Sequence, residues 1–288
     1  MKNISIQSCQ FGNTNCTVAV AGCGDMGLPM LQNLLSAGFN CKGFDVRPAE
    51  EFSATADIMQ WDFSAFAASP EVVISVVRDY AQTLRLCFDP QQGLFTRANQ
   101  IEYLIICSTL ATADIHDLAT KLPAGVTLID APMSGAPIAA REASLTFMVG
   151  GSDRDFLRTK KLFLAMGQQI HHTGPLGSAM AVKVLNNYVA ATSVVAVRNV
   201  LGAASELGID RDKLLEIMQQ SSGATWFGNN FKRIEWAEQG YESDNTMAIL
   251  EKDVNCALQS MPQATGAQQN FDQQLLAQLQ AMPEMDFE

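Results

Sequence analysis

The sequence predicts an α/β domain built on a largely parallel sheet, followed by an all-helical domain. Three observations carry this. Residues 17–174 alternate short β-branched runs with helical patterns. Those runs are continuously apolar rather than alternating, as strands covered on both faces are. Beyond residue 177 strand signals stop and helix-forming composition takes over. With 288 residues, a length prior of about two domains agrees. The predicted limits are a polar leader at 1–16, a sheet domain at 17–177 and a helical domain at 178–288.

In order, TVAVAG (17–22) reads as a buried strand, and Met26, Met30, Leu31, Leu34 and Leu35 mark a helix ended by Gly38. NCKGFD (40–45), EVVISVV (71–77), EYLIICS (102–108) and VTLIDA (126–131) are further strands, with a helix at 114–122 between the last two. TFMVGG (146–151) and QIHHTG (169–174) flank a helix at 153–165. Residues 178–207 hold no proline and end at Gly208, so one helix of about 45 Å is expected. Further helices are expected at 210–220, 231–239, 246–259 and 265–280.

Composition excludes several functions. Nineteen Lys and Arg against thirty Asp and Glu give a net charge of −11, which disfavours nucleic acid and anionic membrane surfaces as partners. Seven scattered cysteines without a CxxC, and three histidines, suggest reduced thiols and no metal site. The N-terminus lacks an apolar signal segment, and the apolar stretch 188–197 stops at Arg198, short of a membrane span. A cytoplasmic protein is expected.

Gly22-Cys23-Gly24-Asp25-Met26-Gly27 is a GxGxxG between the first strand and first helix. The first glycine permits the turn, the second lets a pyrophosphate approach the backbone, and the third lets helix and strand pack closely. The helix N-terminus supplies N–H groups and positive dipole. Asp45, 21 residues after Gly24, ends the second strand where a carboxylate can accept from an adenosine ribose diol. The pattern predicts a Rossmann-type doubly wound sheet that prefers NAD over NADP. Arg47 leaves NADP open, since it could hold a 2′-phosphate.

Two further segments stand out. In 130–151, DAPMSGAPIAAREASLTFMVGG, a strand runs into a loop whose hydroxyl and small-residue N–H groups could cradle a carboxylate. In 174–187, GPLGSAMAVKVLNN, Lys183 stands among Val182, Val184 and Leu185, and Asn187 is four residues on, one helical turn away on the same face. An isolated Lys in a helix is more often a snorkelling surface residue, unless its face lines a cleft.

Together these blocks, with EKDVNCAL at 251–258, resemble the β-hydroxyacid dehydrogenase family over about residues 17–258. The resemblance implies a cofactor domain, an interdomain helix and a helical domain that completes the cleft and an oligomer interface, as a homodimer or homotetramer. It implies Lys183 as the catalytic residue, with Ser134, Gly135 and Asn187 binding a small anionic hydroxy acid. Gly22, Gly24, Asp25, Met26, Gly27, Asp45, Val77, Thr109 and Lys252 would serve the cofactor. Base work near neutral pH would require burial or a nearby positive charge, because an ordinary Lys titrates near about 10.4.

The chain departs from that family at Ala136, Ala143 and Ala179, where glycines are usual, at Arg78, where Pro is frequent, and in a short Gln-rich C-terminus. Two other readings compete: a dinucleotide-binding sensor without turnover, and an imine reductase of related architecture. Imine reductases commonly lack the Lys that this chain has at 183. A 6-phosphogluconate dehydrogenase is similar in the first half, but its helical half is usually longer.

Overall fold

Four of the apolar runs lie side by side as parallel strands, each with its neighbours' backbone as hydrogen-bond partner. The computed structural model describes residues 16–68, 70–96 and 100–285; apart from Cys16, the leader 1–16 lies outside them. The chain divides into two compact units, one ending at Lys183 and one starting at Val184.

In the first unit β1 (Thr17–Ala21) opens into α1 (Gly27–Ser36), and β2 (Asn40–Phe44) follows. A 3-10 segment (Ala49–Ile58) and α2 (Phe63–Ala68) lead to β3 (Val72–Ser75), α3 (Tyr80–Phe88) and β4 (Tyr103–Ile106). Then come α4 (Thr112–Lys121), β5 (Thr127–Asp130), β6 (Met133–Ser134), α5 (Ala136–Arg141), β7 (Leu145–Gly150), α6 (Asp153–Met166) and β8 (Gly167–Gly174). The strand order is β2-β1-β3-β4-β5-β7-β6, with β8 on β7.

Alternate strand residues feed two cores, one on each face. Val18, Val20, Val72, Ile74, Tyr103 and Ile105 pack into one. Ala19, Ala21, Val73, Leu104 and Ile106 pack into the other. Burial on both faces is why these runs are unbroken in the sequence. The expectation of parallel pairing holds from β2 to β5. It fails at β7, which runs antiparallel to β5 and β6. The connection through α5 is too short for a crossover, so the chain returns as a hairpin-like pair.

In the second unit, α7 (Ser178–Glu206) continues from the first and is followed by α8 (Arg211–Gln219), α9 (Trp226–Asn230), α10 (Thr246–Ser260) and α11 (Ala267–Gln280). Val194, Val197, Leu201, Phe227, Phe231, Met247, Val254 and Leu279 form its core. The helix expected at 231–239 is a correction: only a 3-10 turn (Phe231–Arg233) forms there. Its neighbours make i−3 bonds, from Ala237 N to Ile234 O and from Gln239 N to Trp236 O. Arg198, buried in α7, donates through Nη1 to the carbonyls of Ala237 (2.6 Å) and Gln239 (3.0 Å) at the end of that segment. Burial lowers the Arg198 pKa, and the charge of Glu238 opposes that shift.

Among the described residues α7 is long and apolar enough, by length and composition, to cross a membrane. Its length exceeds the apolar stretch 188–197 because Asn187 and Arg198 bound that stretch without interrupting the helix. Both are buried in the protein.

Candidate cofactor and substrate site

Because β1 to β4 are parallel, their C-terminal ends share one edge of the sheet, and the predicted cofactor residues of the first unit lie there, whereas Lys252 is on α10 of the second unit. Gly22 follows β1 with φ +89°, and a Cβ there would lie 2.7 Å from the Val76 carbonyl oxygen. At Gly27 a Cβ would lie 1.9 Å from the Gly22 carbonyl oxygen, while at Gly24 it would meet nothing within 4 Å. The outer glycines are therefore demanded by packing, and the middle one faces open space. The first turn of α1 has no acidic residue and no side-chain cap, so its N–H groups suit a phosphate. Asp25 is exposed, and Met26 half-buried, in the same loop.

Asp45 follows β2 and is engaged by Arg47. Its Oδ1 accepts from the Arg47 backbone N (3.0 Å) and Nε (3.1 Å), and its Oδ2 accepts from Nη2 (3.3 Å). Arg47 also donates through Nη2 to the Cys23 carbonyl (3.0 Å) and lies over the Phe52 ring at 4.8 Å. Burial pushes the Asp45 carboxyl up, but the hydrogen bonds and charge of Arg47 and the Cys23 N–H outweigh it and hold the pKa below the ordinary carboxylate value. Cys23 itself is raised to about 12, chiefly by burial, and stays a thiol.

Val77 follows β3, and its carbonyl accepts from Ser108 Oγ at 2.5 Å, tying the ends of β3 and β4 together beside Thr109. The next residue, Arg78, donates its backbone N–H to Gln82 Oε1 (3.0 Å). Ser134 ends β6 half-buried, and Gly135, with φ +137°, caps α5 without a side-chain hydrogen bond. A six-residue helix therefore starts where the sequence suggested only a loop; it is too short to show helical periodicity.

The glycine departures divide. Ala136 (φ +58°) and Ala143 (φ +50°) occupy the left-handed region. Ala179 is helical, fully buried in α7. A Cβ in the left-handed region costs about 1–2 kcal/mol, whereas glycine gives up about 0.5–1 kcal/mol of chain entropy on folding. Ala136→Gly and Ala143→Gly are each expected to raise stability by about 0.5 kcal/mol, read as a later denaturant midpoint. A lower midpoint would show that the Cβ atoms are held without strain.

Lys183 is 6% exposed, whereas its neighbours Val182 and Leu185 are 43% and 47% exposed. The helix thus turns the Lys inward and the aliphatics outward, the reverse of a snorkelling surface residue. In the second unit Asn187 is buried, and its Nδ2 donates to Asp253 Oδ2. Lys252 Nζ lies 2.7 Å from Asp253 Oδ1. Asp253, 3% exposed, holds both residues. The sequence reading passed over it; the signal was a charged pair, Lys252-Asp253, inside the apolar pattern of α10. Nitrogen donation to Asp253 sets which way the Asn187 amide faces, and its Oδ1 accepts from Asn186 at 3.2 Å.

The chain is similar to known proteins over nearly its whole length. Residues 17–174 match the family described as the NAD binding domain of 6-phosphogluconate dehydrogenase. Residues 177–285 match the NAD-binding family of NADP-dependent 3-hydroxyisobutyrate dehydrogenase. A 3-hydroxyisobutyrate dehydrogenase of Pseudomonas aeruginosa is 32% identical over 252 residues, 84% of each chain. The solved Mycobacterium tuberculosis 3-hydroxyisobutyrate dehydrogenase with L-serine superposes with a TM-score of 0.71 at 26% identity, covering 93% of this chain and 96% of that one. An imine reductase of Myxococcus stipitatus with NAD+ shares the fold at a TM-score of 0.55 and 15% identity, covering 90% and 92%. With its glycine loop on the sheet edge, its inward Lys183 and family matches from residue 17 to 285, the chain belongs to the β-hydroxyacid dehydrogenase family.

Proposed function

We propose that the protein catalyses reversible hydride transfer between NAD(P) and a small 3-hydroxy acid or the corresponding semialdehyde acid. The observation that carries this is Lys183, buried in α7 one helical turn from Asn187. A cationic side chain in an apolar helix is costly unless it has a task. In this reading Lys183 takes the hydroxyl proton during oxidation and returns it to the carbonyl oxygen during reduction. Asn187, its amide orientation set by Asp253, orients that hydroxyl. Ser134 and the Gly135 N–H hold the carboxylate, and Lys252 adds positive charge for an anionic ligand. The nicotinamide, when bound, supplies the hydride acceptor or donor. Gly22, Gly24 and Gly27 would let the backbone meet its pyrophosphate, and Val77 and Thr109, after β3 and β4, would contact the cofactor, Val77 beside the nicotinamide. Asp25 and Met26 complete the loop.

For the cofactor we infer NAD. Asp45 keeps a negative charge at the end of β2, which opposes a 2′-phosphate, and Arg47 is already committed to Asp45, Cys23 and Phe52. Titrating the purified protein with NADH and with NADPH tests this. NADH is expected to bind at least about tenfold tighter, a gap of about 1.4 kcal/mol, and Asp45→Asn is expected to narrow it. Tighter NADPH binding, abolished by Arg47→Ala, would transfer the role to Arg47. Binding of neither would favour a fold without turnover. A screen of hydroxy acids with the preferred cofactor, beginning with 3-hydroxyisobutyrate, then tests the reaction. A cytoplasmic homodimer or homotetramer fits the exposed Val182, Leu185, Val189 and Val200 along α7.

A further inference from the structure

Asp130 is fully buried at the C-terminal end of β5, yet the chemistry proposed above does not use it. Its Oδ1 accepts from the Gly177 backbone N–H at 2.9 Å and its Oδ2 from the Met180 N–H at 2.8 Å. These two donors belong to the turn before α7 and to its first turn. No ion pair to Asp130 occurs among the described residues, so backbone N–H groups and the positive end of a 29-residue helix are its compensation. Burial raises its pKa, and the bonds from Gly177 and Met180 oppose that.

The surroundings are shaped around this carboxylate. A Cβ on Gly150, its antiparallel partner across β5 and β7, would lie 2.2 Å from Asp130 Oδ1. Gly177 has φ +87°, and a Cβ there would come within 2.9 Å of His116 Nε2. Met180 is itself buried, and its sulfur accepts from the Leu110 N–H at 3.3 Å. The first turn of α7 is thus pinned both to the end of β5 and to the loop after β4.

We propose that Asp130 is a positioning residue that sets the axial and rotational register of α7 on the sheet and so places Lys183, three residues beyond Met180. The two carboxylate oxygens bond two N–H groups three residues apart in sequence, which fixes rotation as well as height; a neutral cap with one acceptor fixes less. Lys183 is on the same rigid helix, about 4.5 Å further along its axis, so a displacement at Met180 is passed on to it. This inference rests on the acid–base reading of Lys183.

The test uses Asp130→Asn, which keeps the shape but turns an NH2 toward one of the two N–H groups, alone and combined with Lys183→Ala. Asp130→Ser, which keeps one acceptor without the charge, is the second variant. In Asp130→Asn, kcat is expected to fall by about 10- to 100-fold, the pH dependence of kcat to move, and NADH affinity to stay near wild type. In the Lys183→Ala background the same change should lower the residual rate by no more than about threefold, because interacting sites are not additive. An equal fall in both backgrounds, or folded Asp130→Asn with unaltered kcat, would overturn the proposal while leaving Lys183 in its role. Failure of both Asp130 variants to fold would make Asp130 a structural residue only and overturn the proposal too. Near-normal turnover in Lys183→Ala alone would instead remove the acid–base reading, and the positioning proposal with it.

Discussion

Lys183→Ala is expected to lower turnover by at least about 100-fold, the scale of general acid–base catalysis, with NADH and NADPH affinities close to wild type. The separation follows from where the residues lie. The glycine loop and Asp45 follow β1 and β2, and Lys183 is on α7, so removing its ammonium leaves the dinucleotide cradle untouched. Because Lys183 is buried, truncation also removes packed methylene groups, and a modest fall in melting temperature is expected alongside. Steady-state kinetics with the best hydroxy acid, paired with fluorescence titration of each cofactor, separates the two effects. Turnover within about tenfold of wild type would fall short of the acid–base scale and remove Lys183 from the mechanism.

The second large effect is expected at the glycine loop, and it is a contrast between two positions. Gly27→Ala puts a Cβ 1.9 Å from the Gly22 carbonyl oxygen, a backbone atom that cannot move without shifting the turn. Overpacking of this kind costs about 1–3 kcal/mol, or a melting temperature lower by roughly 2–4 °C for each kcal/mol in a chain of this size. Cofactor affinity is expected to fall by at least about 30-fold, equivalent to roughly 2 kcal/mol. Gly24→Ala meets nothing within 4 Å, so its melting temperature should hold while cofactor affinity falls, because the methyl occupies the approach of the pyrophosphate. Unchanged NADH binding in Gly24→Ala would refute the assignment of this loop as the pyrophosphate cradle.

How far the sequence could be read depended on the length over which each signal repeats. The strands β1, β3, β4 and β5 were legible because burial on both faces leaves an unbroken apolar run. The helices α6, α7, α8, α10 and α11 were legible because several turns show their period or composition. The short elements α2, α5 and α9 offer no more than two turns, and α5 was read as loop. A missed helix with a readable signal is α3: Asp79 caps it by accepting from Gln82 N at 2.8 Å, a pattern visible in Asp79-Tyr80-Ala81-Gln82. The segment 231–239 had helical composition, but its backbone closes i−3 turns instead, and the carbonyls of Ala237 and Gln239 accept from Arg198, more than thirty residues away.

By itself the sequence determined the glycine loop between the first strand and the first helix and the order of the strands' apolar runs, and it put forward Lys183, Asn187 and Ser134 as candidates for the chemistry proposed here. Each depends on neighbours within a few residues or on one side chain's own properties. Tertiary structure alone decided that Lys183 faces inward, that Asp253 orients Asn187, that Arg47 is bound to Asp45, and that Asp130 receives α7. These are contacts between residues up to 66 positions apart, or choices among rotamers of one local pair. Such contacts leave no periodicity in the chain; they arise when burial brings a polar group beside the partner that can satisfy it.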